Sequence, residues 1–172
     1  MITNVWVKTI LSAYPYLFKL ADAIDRVVER RALNSFYVTS SNFASNNVYD
    51  IANQLIDLSE RKVNLINLKV LIENALKKCD KKNAKILILK YISRKKSLES
   101  SQMLSISLRT YFRRLPIAEK QFEIAIKKLG FDAGKLEEYS REEQWILDIK
   151  KHFEGNDSED VVLDLQFPKV AY

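Results

Sequence analysis

Residues 97–114, SLESSQMLSISLRTYFRR, have the pattern of two short helices joined by a tight turn. Ser97 can cap the first helix, because a serine hydroxyl accepts hydrogen bonds from the free N–H groups of a helix N-terminus. Ser105 and Ile106 occupy the turn, with Ile106 between the two helices, and Ser107 can cap the second helix. The segment therefore predicts a helix-turn-helix motif.

Helical spacing gives each of the two helices an inward side. Residues three or four positions apart share one face of a helix, so apolar residues at that spacing are expected to face the core. We expect burial of Leu98 with Met103 or Leu104 in the first helix, and of Leu115 with Tyr111 or Phe112 in the second.

The opposite side of the second helix is polar and basic. Arginine can donate two hydrogen bonds to guanine or bind a phosphate, and threonine can bind a phosphate or contact a thymine methyl group. We expect Arg109 and Arg113 to lie nearest the base edges, while other cations hold the DNA backbone. The residues predicted to take part are Arg94, Lys95 and Lys96 of a basic turn at 93–97, and Ser107, Arg109, Thr110, Arg113 and Arg114 of the second helix.

The pattern LxISxRT over residues 104–110 resembles the turn and recognition helix in region 4 of bacterial sigma factors. In that family the motif follows a helix rich in leucine and tyrosine, here ILILKYI over residues 86–92. The arrangement is also similar to the ArpU and RinA groups of small sigma-like regulators from phages and Gram-positive bacteria. The resemblance covers residues 80–130 and implies a cytoplasmic transcriptional regulator that binds double-stranded DNA and acts either by occupying promoter DNA or by contacting RNA polymerase.

The chain departs from the family pattern at several positions. Residues 99–101 are Glu-Ser-Ser where the family usually has Glu-Ile-Ala, and Ser105 replaces the usual turn glycine. Pro116 is expected to end or kink the second helix, with 117–129 continuing at an angle. No counterpart of the promoter-melting region is present, so a complete sigma factor is not expected. The alternative is a helical protein-interaction module, a polymerase-binding or adaptor protein, without affinity for DNA.

Charge is distributed unevenly along the 172 residues. Residues 1–79 carry 10 basic and 7 acidic side chains, residues 80–130 carry 13 and 4, and residues 131–172 carry 5 and 11. The net charges of +3, +9 and −6 give the total of +6. A basic middle segment favours a polyanionic partner.

The scarcity of glycine and proline, three of each, favours long helices over a β-rich fold. We predict an all-α protein with an N-terminal helical packing or dimerisation module at 1–79. A helix-turn-helix module at 80–130 and a C-terminal helix with an acidic tail at 131–172 follow.

The N-terminal module is predicted to contain two helices. The first spans 4–33, with a break or kink at Pro15. Residues 34–47 are predicted to form a loop, since nine of the fourteen are Asn, Ser or Thr. Aromatic side chains at 36, 37 and 43 are expected to pin that loop to the core.

The second helix is predicted over 48–79 and has an apolar seam with 4-3 spacing. The seam is interrupted by Lys62 and Lys69, which do not suit a coiled coil. Two alternatives remain: packing against the first helix, or a coiled coil that forms a homodimer. The seam consists of Ile51, Leu55, Leu58, Lys62, Leu65, Lys69, Ile72 and Leu76.

Capping residues predict the remaining elements. Asp80 is expected to cap a short helix at 81–92. Ser140 and Glu143 have the spacing of a capping box that opens a C-terminal helix ending at Gly155. The acidic residues after Gly155 are expected to form a tail that is either disordered or loosely docked.

The residue inventory argues against catalysis and membrane insertion. A single histidine, His152, and a single cysteine, Cys79, do not suit a zinc site of ordinary type, and no glycine-rich phosphate loop is present. No apolar run is long enough to span a bilayer. The expectation is a cytoplasmic protein that is not an enzyme and has no metal or cofactor.

Overall fold

The computed structural model describes residues 4–39 and 45–155, with side chains described at 4–34 and 49–155. Every element in those ranges is helical, which confirms the all-α prediction, and none of the helices there has the length and apolar character needed to cross a membrane. The elements are α1 Asn4–Thr39, α2 Ser45–Lys78, α3 Lys81–Leu87, a π-helical turn Ile88–Ile92, α4 Ser97–Met103, α5 Leu108–Lys128, α6 Ala133–Ser140 and α7 Gln144–Gly155.

Helices α1 and α2 pack against each other in an antiparallel pair. Tyr14 contacts Glu73, Asp25 contacts Lys62 and Arg31 contacts Gln54, so partner numbers fall as the chain advances along α1. The predicted loop at 34–47 is wrong for 34–39 and 45–47, which are helical. The expected contacts of the aromatic residues at 36, 37 and 43, and the acidic tail at 156–172, lie outside the described side chains.

Helix α1 runs without a break through Pro15, so the predicted break there is wrong. Proline removes only one backbone donor from the ladder. Burial on both sides of Pro15, at Leu11 and Leu17, holds the two halves in one helix. Apolar burial therefore outweighs the local cost of the proline.

The predicted seam of α2 packs against α1, which is the first of the two alternatives given for this helix. Leu65 and Ile72 are almost fully buried there. The two seam lysines are half-buried at its edges, where Lys62 pairs with Asp25 at 2.6 Å and Lys69 pairs with Glu73 at 2.7 Å. Hydrogen bonds from Lys69 and then Tyr14 hold the pKa of Glu73 below its ordinary value.

Helix α5 lies in the middle of the molecule and is continuous through Pro116. It contacts α1, α2, α3 and α4. The predicted helix end at Pro116 is wrong, because Leu115, Ala118 and Phe122 are buried on both sides of it. Buried apolar residues from Trp6 to Ile149 form one core, to which all three predicted segments contribute.

The C-terminal segment differs from its prediction. Two helices, α6 and α7, replace the single predicted helix, and Ser140 is the last residue of α6. The hydroxyl of Ser140 has no hydrogen-bond partner, so the capping box does not form. Glu143 instead accepts hydrogen bonds from Arg61 Nε at 2.5 Å and from Trp145 Nε1 at 2.6 Å. A charged partner on α2 has replaced the local cap.

Candidate nucleic-acid interface

The turn between α4 and α5 has the backbone that a helix-turn-helix requires. Ser105 adopts a left-handed conformation with φ of +53°. This conformation costs a residue other than glycine roughly 1–2 kcal/mol. The N–H of Ile106 donates to the carbonyl of Ser101 at 3.0 Å, which closes the end of α4. The predicted turn at Ser105 and Ile106 is confirmed.

Ser107 caps α5 as predicted. Its backbone is extended, and its hydroxyl accepts a hydrogen bond from the N–H of Thr110 at 3.2 Å. The hydroxyls of Ser107 and Thr110 are 2.8 Å apart and also bond to each other. The first turn of α5 is therefore fixed by its own side chains, with its positive dipole end toward solvent.

Helix α4 packs through small residues rather than through its leucine. Ser100 and Ser101 are buried, whereas Leu98 and Met103 are each 59% exposed. The prediction that Leu98 faces inward is wrong, and Leu104 is the half-buried member of the Met103/Leu104 pair. Ser97 is the first residue of α4 and not its cap, a position that Lys96 occupies without a side-chain hydrogen bond.

Tyr111 and Leu115 anchor α5 to the core, as expected. Tyr111 has no exposed surface and Leu115 is 4% exposed. The ring of Phe112, half-buried, meets the ring of Tyr111 edge to face at 5.7 Å between centroids. The anchored side of α5 determines which residues are left outside.

Arg109 and Arg113 lie on that outer side. Both are exposed, and they are one helical turn apart on the same face. Neither forms a hydrogen bond or ion pair with the residues that the structure describes. Thr110 and Arg114 are half-buried beside them, and Arg114 likewise has no such partner in the described ranges. The first two turns of α5 thus present two exposed guanidinium groups on one face.

The basic turn at 93–96 uses its cations differently. Arg94 is half-buried, and its guanidinium carbon lies 5.0 Å from the centroid of the Tyr16 ring on α1. Lys95 pairs with Glu99 at 2.7 Å, one turn further along α4. Lys96 is exposed. Of the three predicted phosphate contacts in this turn, two are therefore engaged with the protein itself.

The basic surface of α5 does not extend along the whole helix. Lys120 and Lys127 both pair with the buried carboxylate of Glu123, at 2.8 and 2.6 Å. Burial raises the pKa of Glu123, but the hydrogen bonds from the two lysines outweigh it and the pKa falls below its ordinary value. Unneutralised charge is concentrated at the N-terminal end of the helix.

Sequence reasoning did not single out the exposed lysines of α3, which are Lys81, Lys82 and Lys85. The neighbouring Asn83 donates to Gln121 of α5 at 2.8 Å. A rise of about 1.5 Å per residue places Gln121 about 18 Å along α5 from Arg109. These lysines therefore form a cationic patch that is separate from Arg109 and Arg113. Their periodic exposure on a capped helix is the sequence signal that could have revealed the patch.

Within residues 4–39 and 45–155, no group of three or more His, Cys, Asp or Glu side chains is arranged to hold a metal ion. Comparisons with protein-family models, with curated proteins and with solved structures each found no match to this chain. The resemblance to sigma region 4 stays a prediction.

Proposed function

We propose that this protein binds double-stranded DNA through α4 and α5, with the N-terminal turns of α5 entering the major groove. Its role would be that of a sigma-like regulator of transcription in the cytoplasm of a bacterium or in a phage-infected cell. RNA polymerase is a further proposed partner, by the resemblance of residues 80–130 to sigma region 4.

The observation that carries this proposal is the exposure of Arg109 and Arg113 on a capped helix N-terminus. Ser105 and Ser107 fix the turn that presents them, and no described acidic side chain neutralises them. Two free guanidinium groups on one face suit a surface that binds guanine edges and phosphates.

Roles within the interface follow from burial. Arg109 and Arg113 are exposed on one face of α5 and are assigned to base edges. Arg114 and Lys96 are assigned to phosphates. Arg94 and Lys95 have a smaller part, because each must first leave its contact with the protein.

A titration of fluorescent duplex DNA tests the proposal. The affinity should fall steeply with salt, with a slope on the order of three to six phosphate contacts, because bound cations release counterions from DNA. The double substitution Arg109→Ala and Arg113→Ala should weaken binding at least tenfold and relax the sequence preference, because both residues are assigned to base edges.

Arg141→Ala supplies the matched control, since Arg141 is an exposed arginine in the turn after α6. It removes one positive charge, against two in the double variant, and should change the affinity less than twofold. If the wild-type protein binds DNA with no dependence on salt, or if the control weakens binding as much as the double variant, the assignment of the interface is wrong.

A second candidate function is protein binding without DNA affinity. The exposure of Leu98 and Met103 on α4 favours it, because large apolar side chains on a short helix suit a protein interface. Under this candidate, wild-type protein captures RNA polymerase in a pull-down and shows no binding to duplex DNA at low salt, and Leu98→Ser with Met103→Ser abolishes the capture. Binding of wild-type protein to duplex DNA at low salt would reject this candidate.

A further inference from the structure

A strip of apolar side chains lies on the side of α2 that faces away from α1. Its members recur every seven residues, a spacing that keeps them in one line along a helix that pairs with another helix. They are far more exposed than Leu65 and Ile72, the residues of the 4-3 seam of α2 that are buried against α1. The members of this outer strip are Tyr49, Ile56, Val63 and Val70, with exposed fractions of 74%, 55%, 53% and 44%.

A groove of about 470 Å³ lies along the same side of α2. Ile56 and Val63 belong to both the groove and the outer strip, so apolar knobs and a hole for a partner's side chains occur side by side. The other lining residues are Leu55, Ser59, Glu60 and Asn64.

The exposed charges of α2 are separated along its length. Asp50, Asp57 and Glu60 lie in its N-terminal half, and Lys77 and Lys78 lie in its last turn. None of the five forms a hydrogen bond or ion pair with the described part of the chain. The helix therefore has an acidic N-terminal half and a basic C-terminal end. Of the five, Glu60, Lys77 and Lys78 lie nearest the outer strip, whereas Asp50 and Asp57 each follow a strip residue directly and lie about 100° around the helix from it.

We propose that the outer strip binds the same strip of a second copy of this chain in an antiparallel pair, with the two-fold axis at Val63. In that register Ile56 and Val70 lie seven residues on either side of the axis. Ile56 therefore meets Val70 of the partner subunit. The acidic end of each α2 then meets the basic end of the other. A parallel pair would instead place acid against acid and lysine against lysine.

This proposal differs from the dimer that the sequence suggested. The 4-3 seam from Leu58 to Leu76 is packed into the core and is not available to a partner, whereas Leu55 lines the groove. The outer strip is separate from the DNA-binding surface proposed on α5, so the two proposals can fail independently. An antiparallel pair also uses every member of the strip except Tyr49, which faces Lys77 of the partner subunit.

Sedimentation equilibrium of the full chain between about 1 and 100 μM tests the interface. Wild-type protein should show a monomer–dimer equilibrium, and Ile56→Arg and Val63→Arg should each raise the dimer Kd at least tenfold. Ile124→Arg is the matched control, because Ile124 is 43% exposed on α5, outside the strip. It should leave the Kd within twofold.

A wild-type protein that stays monomeric at 100 μM would overturn the proposal. An equal loss of dimer in Ile124→Arg would also overturn it, because the effect would then be general. Circular dichroism of each variant separates loss of the interface from loss of the fold, and exposed positions are expected to tolerate the substitution.

Disulfide trapping tests the orientation. Under mild oxidation, Ile56→Cys mixed with Val70→Cys should yield mainly the mixed dimer, and Val63→Cys should cross-link to itself. Wild-type protein is the control for Cys79, which is buried and whose pKa burial raises to about 11, so that its thiol reacts slowly. Ile56→Cys cross-linked chiefly to itself would indicate a parallel pair and overturn the proposed register.

Discussion

The two basic segments of the middle of the chain, the 93–96 turn and the first two turns of α5, differ in what their cations contact. Arg94 lies over Tyr16 and Lys95 pairs with Glu99. Arg109 and Arg113 are exposed, without a hydrogen bond or ion pair to the described residues. A residue with a left-handed backbone belongs to the first segment, at Arg94, and another lies in the turn just before the second, at Ser105.

The comparison shows that the net charge of a segment does not determine which of its cations can bind a ligand. The balance of +9 over residues 80–130 includes lysines and arginines that the protein has already used for its own packing. Only the cations that point away from the core and from nearby acids remain available to a polyanion. Substitutions in the two segments should therefore affect different properties.

The largest effect is expected from Arg113→Ala on DNA binding. Loss of a forked contact to a base should cost roughly 1–3 kcal/mol and relax the preference at one base position. Competition between duplexes that differ at single positions measures this. Equal weakening for all duplexes would show that Arg113 contacts the backbone and not a base.

Arg94→Ala should act on stability, with DNA affinity changed less than twofold at physiological salt. Removal of the cation from the half-buried face of Tyr16 should lower the free energy of unfolding by about 0.5–2 kcal/mol. Urea denaturation measures the loss, and Lys96→Ala, which removes an exposed cation two residues later, should leave stability unchanged. A loss of DNA affinity in Arg94→Ala as large as in Arg113→Ala would remove the distinction between the two segments.

The two left-handed residues should respond differently to glycine. Ser105→Gly relieves the backbone cost at an exposed side chain and should raise the free energy of unfolding by roughly 0.5–1 kcal/mol. Arg94→Gly gains the same relief but loses the contact with Tyr16, so its net effect should be smaller or destabilising. Thermal or urea unfolding of the pair decides this, and a larger gain at Arg94 would contradict it.

The smallest effect is expected from Lys95→Ala. Lys95 and Glu99 are four residues apart and both are half-exposed. Loss of their ion pair should therefore lower the free energy of unfolding by about 0.2–0.5 kcal/mol. Because salt screens such pairs, the difference from wild type should vanish at about 1 M salt. A difference that persists at high salt would mean that Lys95 packs through its aliphatic chain.

Most features that depend on neighbouring residues were predictable from the sequence, although the cap expected at Ser97 was not present. The cap at Ser107, the turn at Ser105 and the cap at Asp80 are all present, because each hydrogen bond joins groups within a few positions. The burial of Tyr111 and Leu115 followed from their helical spacing. The order of the helix-turn-helix elements could therefore be predicted from the sequence alone.

Features that depend on distant partners were not predictable. Glu143 is paired with Arg61, 82 residues away, and no local pattern reveals that it prefers this partner to a capping role. The burial of Leu115 and Phe122 keeps α5 continuous through Pro116, against the local preference. Likewise, the engagement of Arg94 depends on the position of Tyr16, on a helix far earlier in the chain.

The single core from Trp6 to Ile149 has a consequence for synthesis on the ribosome. Helix α1 is made before its partners α5 and α7, which begin 69 and 105 residues after the end of α1. About 140 residues separate Trp6 from Ile149. Translation at roughly 5–20 residues per second therefore takes roughly 7–28 seconds to pass from one to the other. During that interval α2 can shield only part of the apolar side of α1. The nascent chain is therefore expected to need a holding chaperone until α7 has left the exit tunnel.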